Sequence, residues 1–478
     1  MNKSVTTPSL KVKTVDVKIP PLLPALLIAA ALTACSTPAP YEKPAMDIPL
    51  AFKESILWKS VRPNAANVPE EWWLLFNDPQ LNQLQKQLAV GNQNLKASAA
   101  QVQVARAALG SSRAGLSPAL SANAGISNGV APGGISAVAS NSLSASASWE
   151  LDLWGRVAGS VSGSDARFQA SAADLASARL SAQALLTQTY FSMRSAESQG
   201  VLLERSVSAY QRSLELTQNR YAGGVASAAD VAQATTQLRS TQAQLIESTS
   251  GRALLEHAIA TLLGQSAAAF NLASTATLPQ APVAPLQVPA QLLERRPDIA
   301  AASARVAAAN AQIGVAQSAF FPNITLSATA GFRGAELVEL LSAPNLFWSL
   351  GPSLAIALFD GGARKAAEES ARASADQAAA TYRQTVLTAM QEVEDNLVTA
   401  ASLQEQLVLQ ADALDAAQRN LEISNNQYKA GTVSYLNVVT AQATALASER
   451  TLLEVRNRRL QAMSVLLKNL GGRWDAVQ

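Results

Sequence analysis

The residues able to do chemistry are few, and their spacing brings none of the familiar constellations together. The single histidine, His257, stands beside Glu256 in a helical stretch, where a solvated or packed side chain is the expected role rather than a general base. One histidine, one cysteine and five methionines provide no ligand set for zinc or copper. No glycine-rich loop stands before a helix in the arrangement that cradles phosphate. An enzyme is therefore not expected. What remains is patterned charge: Asp415, Arg419 and Glu422, with Asp412 just before them, fall on one helical face at i, i+4 and i+7. On a solvated helix such pairs contribute a few tenths of a kcal/mol. Repeated around a symmetry axis, the same residues become rings of charge that favour cations and pair with neighbouring helices.

Cys35 follows a lysine-bearing start and the apolar run "PPLLPALLIAAALTA", which is too short and too broken by proline to span a membrane as a helix. Leu32, Thr33, Ala34 and Cys35 resemble the bacterial lipobox, in which the cysteine is acylated and becomes the new N-terminus; an ordinary signal peptide with an incidental cysteine is the alternative. Residues 1–34 would then be a lipoprotein signal peptide, with covalent lipid on Cys35 as the only non-protein group. Several acyl chains, at about 0.8 kcal/mol per buried methylene, give lasting attachment. Ser36 lacks the aspartate that favours inner-membrane retention, so outer-membrane lipid is the expected anchor. Removing Lys3, Lys11, Lys13, Lys18 and Asp16 takes 37 basic and 35 acidic residues to 33 and 34, a net of −1. Nothing basic remains to attract nucleic acid.

The elements that must position these residues come twice. "RYAGGVASAAD" near residue 220 has the outline of "QYKAGTVSYLN" at 427–437, and an offset of 207 relates Tyr221 to Tyr428, Gly224 to Gly431 and Asp230 to Asn437. Ser227 and Ser434 share that offset and are placed to cap the helices that follow. The glycines permit the left-handed residue that ends a helix. Proline-rich residues 35–70 read as a tether, 71–270 as a first repeat, 271–293 as a proline-rich linker, 294–472 as a second repeat and 473–478 as a tail. Each repeat reads helix, two strands, long helix, tip, shorter helix. Long helices are expected at about 157–221 and 364–428, each on the order of 100 Å at 1.5 Å per residue. Leu407, Leu414, Leu421 and Tyr428 form a heptad stripe, and the offset carries it to Gly200, Val207, Leu214 and Tyr221.

Four segments alternate with period two: 119–128, 143–152, 322–333 and 348–360, although Pro352 weakens the last. Glu150 and Asp152 fall on the polar side of the second. A soluble half-buried sheet shows the same alternation, but segments of about ten residues with Trp149 and Trp348 near their ends also match membrane strands. Four strands do not close a barrel, since about eight is the usual minimum. Two copies give eight strands and a filled interior; three give twelve and a lumen, which is the arrangement expected here. Its wall would be mostly Ser, Thr, Asn and Gly. A plain coiled coil, or a structural envelope lipoprotein built on one, explains the heptads but not the strands.

"WWLLFNDPQLNQL" (72–84), "WELDLWGR" (149–156), "ERRPDIAAASARVAAANAQIGVAQSAFFPNITL" (294–326), "GPSLAIALFDGG" (351–362) and "YKAGTVSYLNVVTAQ" (428–442) resemble the TolC family of outer-membrane efflux proteins. The resemblance covers nearly all the mature chain and is to the lipidated subunits of resistance-nodulation-division pumps. It implies an α+β membrane protein: a homotrimer with four transmembrane strands per protomer in a shared twelve-stranded barrel. A long periplasmic α-helical barrel would follow, with a small mixed equatorial region. Implied partners are a periplasmic adaptor and a proton-driven inner-membrane transporter, this chain being the passive exit duct for small molecules such as drugs. The implied docking tips are Tyr221, Gly224, Ser227, Tyr428, Gly431 and Ser434, and Asp415, Arg419 and Glu422 are gate candidates. Export of proteins by a type I system is a second reading within the family, disfavoured by the lipobox and "ERRPDI".

Overall fold

The computed structural model describes residues 69–130, 137–275, 277–282 and 296–471, with Ala45 and Lys53 as isolated positions. The signal peptide, Cys35 with its lipobox, nearly all of the tether, most of the second half of the linker, Glu294 and Arg295 and the tail lie outside the described residues.

A 3₁₀ turn at Trp72–Phe76 leads into α1 (Pro79–Gly91), which starts sharply because the Asp78 carboxylate accepts from the Gln80 and Leu81 N–H groups and Pro79 occupies the first helical position. There follow α2 (Gln93–Ala114), β1 (Ala119–Val130), β2 (Ala137–Glu150), α3 (Arg156–Ala222) and α4 (Ala228–Leu262). The second repeat supplies α5 (Pro297–Ser318), β3 (Asn323–Gly334), β4 (Leu346–Ala355), α6 (Ala363–Lys429) and α7 (Tyr435–Gly471). Both long helices have 67 residues, and both begin after a left-handed glycine, Gly155 and Gly362, again 207 apart. They extend one residue beyond the expected limits at each end.

The four strands form one antiparallel sheet in the order β1-β2-β3-β4. The helices lie in the matching order. On the sheet side, α3 packs between α2 and α5, and α6 packs on α5; on the far side, α3 packs between α4 and α7, and α6 packs on α7. Each level is thus an open layer of four, ending at α2 or α4 on one edge and α6 on the other. The C-terminus of α4 meets the start of α2, where Asn92 donates to the Leu262 carbonyl at 2.7 Å, so the two shorter helices together run beside α3.

The principal core sits at mid-height. Trp72, Trp73, Phe76 and the Leu81, Leu84 and Leu88 face of α1 pack with Leu186, Tyr190 and Phe191 of α3, Val386 and Val393 of α6, and Leu466 and Leu467 of α7. The tryptophans anchor the chain as expected. Arg194, wholly buried, ties this waist together: its guanidinium donates to Glu197 at 2.6 Å, to Gln80 and to the Ala273 carbonyl. Arg252 donates to Glu197, Glu256 and the Leu272 carbonyl, while the Thr275 N–H donates to Glu197. The described part of the linker is therefore strapped along α3 and α4 by buried charge. Single-residue spacing rules do not reveal this network, because its members come from four separate segments.

Candidate functional site

The sheet sorts its side chains without regard to which strand supplies them. Leu120, Ala147, Ala328 and Leu350 align across all four strands; so do Ala122, Ala145, Ala330 and Trp348, and then Ala124, Leu143, Phe332 and Leu346. The alternate rows are Ser121, Ser146, Thr329 and Ser349, then Asn123, Ser144, Gly331 and Phe347. A one-residue slip in any strand would mix the two faces, so the register is strongly specified. Leu120, Ile126, Trp348, Leu350 and Leu354 are exposed on the apolar face, with Trp348 at 75%. Contiguous exposed aliphatics on one face of a sheet need a non-aqueous neighbour. No described helix is long and apolar enough to cross a membrane.

Several details depart from the expected pattern. The second strand begins earlier and stops at Glu150, so Asp152 is not a strand residue; its carboxylate instead accepts from the Val157 and Ala158 N–H groups and caps α3. The fourth stops at Ala355, and residues 356–360 form the turn into α6. Pro352 is retained within it, opposite Leu326, because β4 is an edge strand. The polar face is also less bland than expected, since Arg333 and Phe347 stand on it. Glu150 accepts two 2.6 Å bonds from Arg156 at the helix end of the sheet.

At the opposite pole of the molecule are the two helix-hairpin tips. Gly224 and Gly431 have φ of +73° and +78°, the left-handed turn expected of both. Ser227 and Asp230 form a capping box at the start of α4, while Ser434 directly precedes α7 and its carbonyl accepts from the Asn437 N–H. The tyrosines are not equivalent. Tyr428 is buried against Tyr435, ring centroids 5.3 Å apart, and Arg220 donates to its carbonyl at 3.0 Å with the guanidinium 4.6 Å from the ring centre. Tyr221, expected on the same seam, is 51% exposed. Its repeat mate has the partners because the position equivalent to Tyr435, 207 residues earlier, is Ala228, which offers Tyr221 no ring to pack on. Tyr435, Tyr210, Ser213 and Arg220 complete this cluster; the offset of 207 points to none of them as a site, since each contact joins unlike positions of the two repeats.

Asp415, Arg419 and Glu422 do fall together on α6. Arg419 donates to Asp415 within the helix, both are well exposed, and Glu422 is exposed one turn further on. They face away from the packed interior, on the helix at the open edge of the layer. His257 is exposed on α4, and Glu256 bonds Arg252 instead; the described residues contain no cluster able to hold a metal ion.

At the start of α5, Arg296 is buried and pairs with Asp298 and with Glu392 of α6 at 2.7 and 2.9 Å. Burial pushes the Asp298 carboxyl up, but the Arg296 guanidinium and the Ile299 N–H outweigh this and hold it below the ordinary carboxylate range. Burial lowers the Lys468 ammonium beside them. Arg296 and Asp298 of the "ERRPDI" motif thus contribute an ion-paired joint between α5 and α6.

Residues 84–265 and 288–472 match the family described as outer membrane efflux protein. The pyoverdine export outer membrane protein OpmQ of Pseudomonas aeruginosa is 31% identical over 94% of this chain and 97% of its own. The cation efflux system protein CusC of Escherichia coli is 29% identical over 95% and 99%. Among solved structures, the outer-membrane channel OprN superposes with a TM-score of 0.86 at 29% identity, covering 92% of this chain and 99% of the other.

Proposed function

The chain belongs to the outer membrane efflux protein family, and on that premise we propose how its geometry is completed: three copies close a twelve-stranded barrel and, beneath it, a tunnel of long helices. The chain is an outer-membrane efflux channel, the exit duct of a tripartite system with a large periplasmic part. The observation that carries the trimer is the shared order of the two layers. Strands β1 to β4 and helices α2, α3, α5 and α6 form parallel open rows, with an unpaired edge on the same two sides at every level. An open sheet edge is not tolerated in lipid, where each unpaired backbone group costs several kcal/mol. Cyclic repetition joins β4 of one copy to β1 of the next and closes both layers at once.

In this arrangement the apolar row faces lipid and the polar row lines the lumen. The tips point into the periplasm, where they are the docking surface for a periplasmic adaptor and, through it, a resistance-nodulation-division transporter. Cys35 carries the acyl chains, and energy comes from the transporter. Relatives are named for pyoverdine, toluene and cation efflux, which supports export of small solutes over export of proteins. The cargo is set by the pump more than by the generic Ser and Thr wall.

The test is the protein extracted from outer membranes. It is expected to run as a trimer whose mobility changes on heating, to conduct in planar bilayers, and to lose acyl label in Cys35→Ser. A species that is monomeric and non-conducting under mild extraction would sink the shared barrel.

A further inference from the structure

We propose that β4 lengthens when copies meet: residues 356–358, outside any strand in the single chain, pair with β1 of the next copy in one fixed register. The inference rests on the trimeric reading above and supplies the residues that touch. The two hairpins of the chain are one object built twice. Asn323 stands 204 residues after Ala119 and Ala355 stands 207 after Ser148, and each couple is paired across its hairpin. With those two offsets every β3–β4 partner follows from a β1–β2 partner, as far as Phe332 with Leu346 from Asn128 with Ala139.

The seam between the hairpins is therefore a template for the seam between copies, with β4 in the place of β2 and the next β1 in the place of β3. β2 pairs with β1 only as far as Ser148, the mate of Ala355. It runs on to Glu150 because β3 holds its other side, at Trp149 with Leu326 and Glu150 with Thr325. The Leu151 N–H then donates to the Ile324 carbonyl at 2.9 Å. β4 is an edge strand and stops at Ala355, where that second neighbour is missing. Carried across by the same offsets, Ala355 faces Asn123 of the next copy, Ile356 faces its Ala122 and Ala357 its Ser121, and the Leu358 N–H donates to its Leu120 carbonyl.

The side chains agree with this register. Ile356 and Leu358 continue the apolar row of β4, while Ala355 and Ala357 continue the polar one. Leu358 and Leu120, brought together at the seam, are 90% and 79% exposed in the single chain. The helices repeat the pattern. Leu202 of α3 and Leu453 of α7 belong to one core cluster, and their mates at 207, Leu409 and Ile246, are 69% and 72% exposed on α6 and α4, the helices at the two open edges. Trp154 stacks on Phe321 within a copy, ring centres 4.9 Å apart, but their mates are Gly361 and Ser117. Backbone pairing and the aliphatic row, not an aromatic clamp, therefore hold the seam between copies.

Cysteine pairs read the register directly, with the parent chain as the blank for Cys35. Ala355→Cys with Asn123→Cys and Ala357→Cys with Ser121→Cys are the matched pairs. Ala355→Cys with Ser121→Cys and Ala357→Cys with Asn123→Cys are each shifted by two. Directly opposite residues lie within disulfide reach and diagonal ones beyond it. Oxidation of trimers in outer-membrane vesicles is expected to give covalent trimer on the order of tenfold faster from the matched pairs. Faster linking of a shifted pair overturns the register. Linking between Ala355→Cys and Asn123→Cys without linking between Ala357→Cys and Ser121→Cys overturns the lengthening of β4. No linking at all in a conducting, heat-modifiable trimer overturns the seam and leaves the duct standing, whereas a preparation with neither trimer nor conductance takes down the reading beneath it.

Discussion

The guanidinium of Arg220, near the end of the first long helix, donates to the backbone carbonyl of Tyr428 at the end of the second and lies 4.6 Å from its ring. One side chain thereby adds a second donor to a carbonyl at the helix end that also accepts from the Gly431 N–H, and binds the two tips of a protomer to each other. Arg220→Ala removes both contacts. Amide hydrogen exchange at residues 221–228 and 429–435 is expected to speed up by roughly tenfold, with exchange in the sheet unchanged. Arg220→Lys should recover only part of the protection, because an ammonium reproduces the charge and not the planar stacking.

Gly224 and Gly431 hold positive φ with nothing but solvent or a distant side chain around them, so only the backbone opposes substitution. A β-branched residue there costs about 1–2 kcal/mol in each turn, too little to unfold helices of this length. Gly224→Val with Gly431→Val is expected to abolish efflux in a susceptibility assay while the heat-modifiable trimer persists at its usual amount. Retained efflux would remove the tips from adaptor docking.

Arg419 and Asp415 pair within α6 on its exposed face, and Glu422 is exposed beside them. If neighbouring protomers close the mouth on this face, Arg419→Ala or Glu422→Ala breaks contacts between chains and raises single-channel conductance in planar bilayers. No change in either variant would place the closure elsewhere. The fold itself should be indifferent, since exposed i,i+4 pairs contribute a few tenths of a kcal/mol.

Glu197 is different, being buried between Arg194 and Arg252 and accepting from Thr275 as well. Glu197→Ala leaves the buried Arg194 without a carboxylate, although Arg252 keeps Glu256, and is expected to cost about 3–5 kcal/mol, seen as a lower Tm and as faster proteolysis of the 271–282 segment.

The Asp298 carboxyl is held below its ordinary range when folded, so its contribution is present in full above the unfolded carboxylate pKa and is lost as pH falls through the lowered folded value. Below about pH 4 the wild-type protein should therefore lose more stability than Asp298→Asn, in thermal melts compared at pH 7 and pH 3.

The long helices were legible to within a residue at each end, because Gly155, Gly362 and the tip glycines punctuate them and the 207-residue offset checks one repeat against the other. The strands were legible as alternation, yet Asp152 was misplaced, because a carboxylate just beyond a strand keeps the period-two pattern while its bonds go to a helix start. Tyr221 was misjudged for a related reason. An internal repeat predicts equal environments, but the mate of Tyr435 is Ala228, so Tyr428 packs with Arg220 and Tyr435 while Tyr221 has no matching ring.

Local order, by itself, determined the elements of this protein: the doubled plan, the helix limits, the two-faced strands and the turns, since each follows from periodicity and from backbone freedom at single glycines. Only the tertiary structure decided the register that sorts Arg333 and Phe347 onto the polar face, the matching order of strands and helices that leaves two open edges, and the burial of Arg194 with Glu197. These depend on which distant segments meet, and no local pattern specifies that.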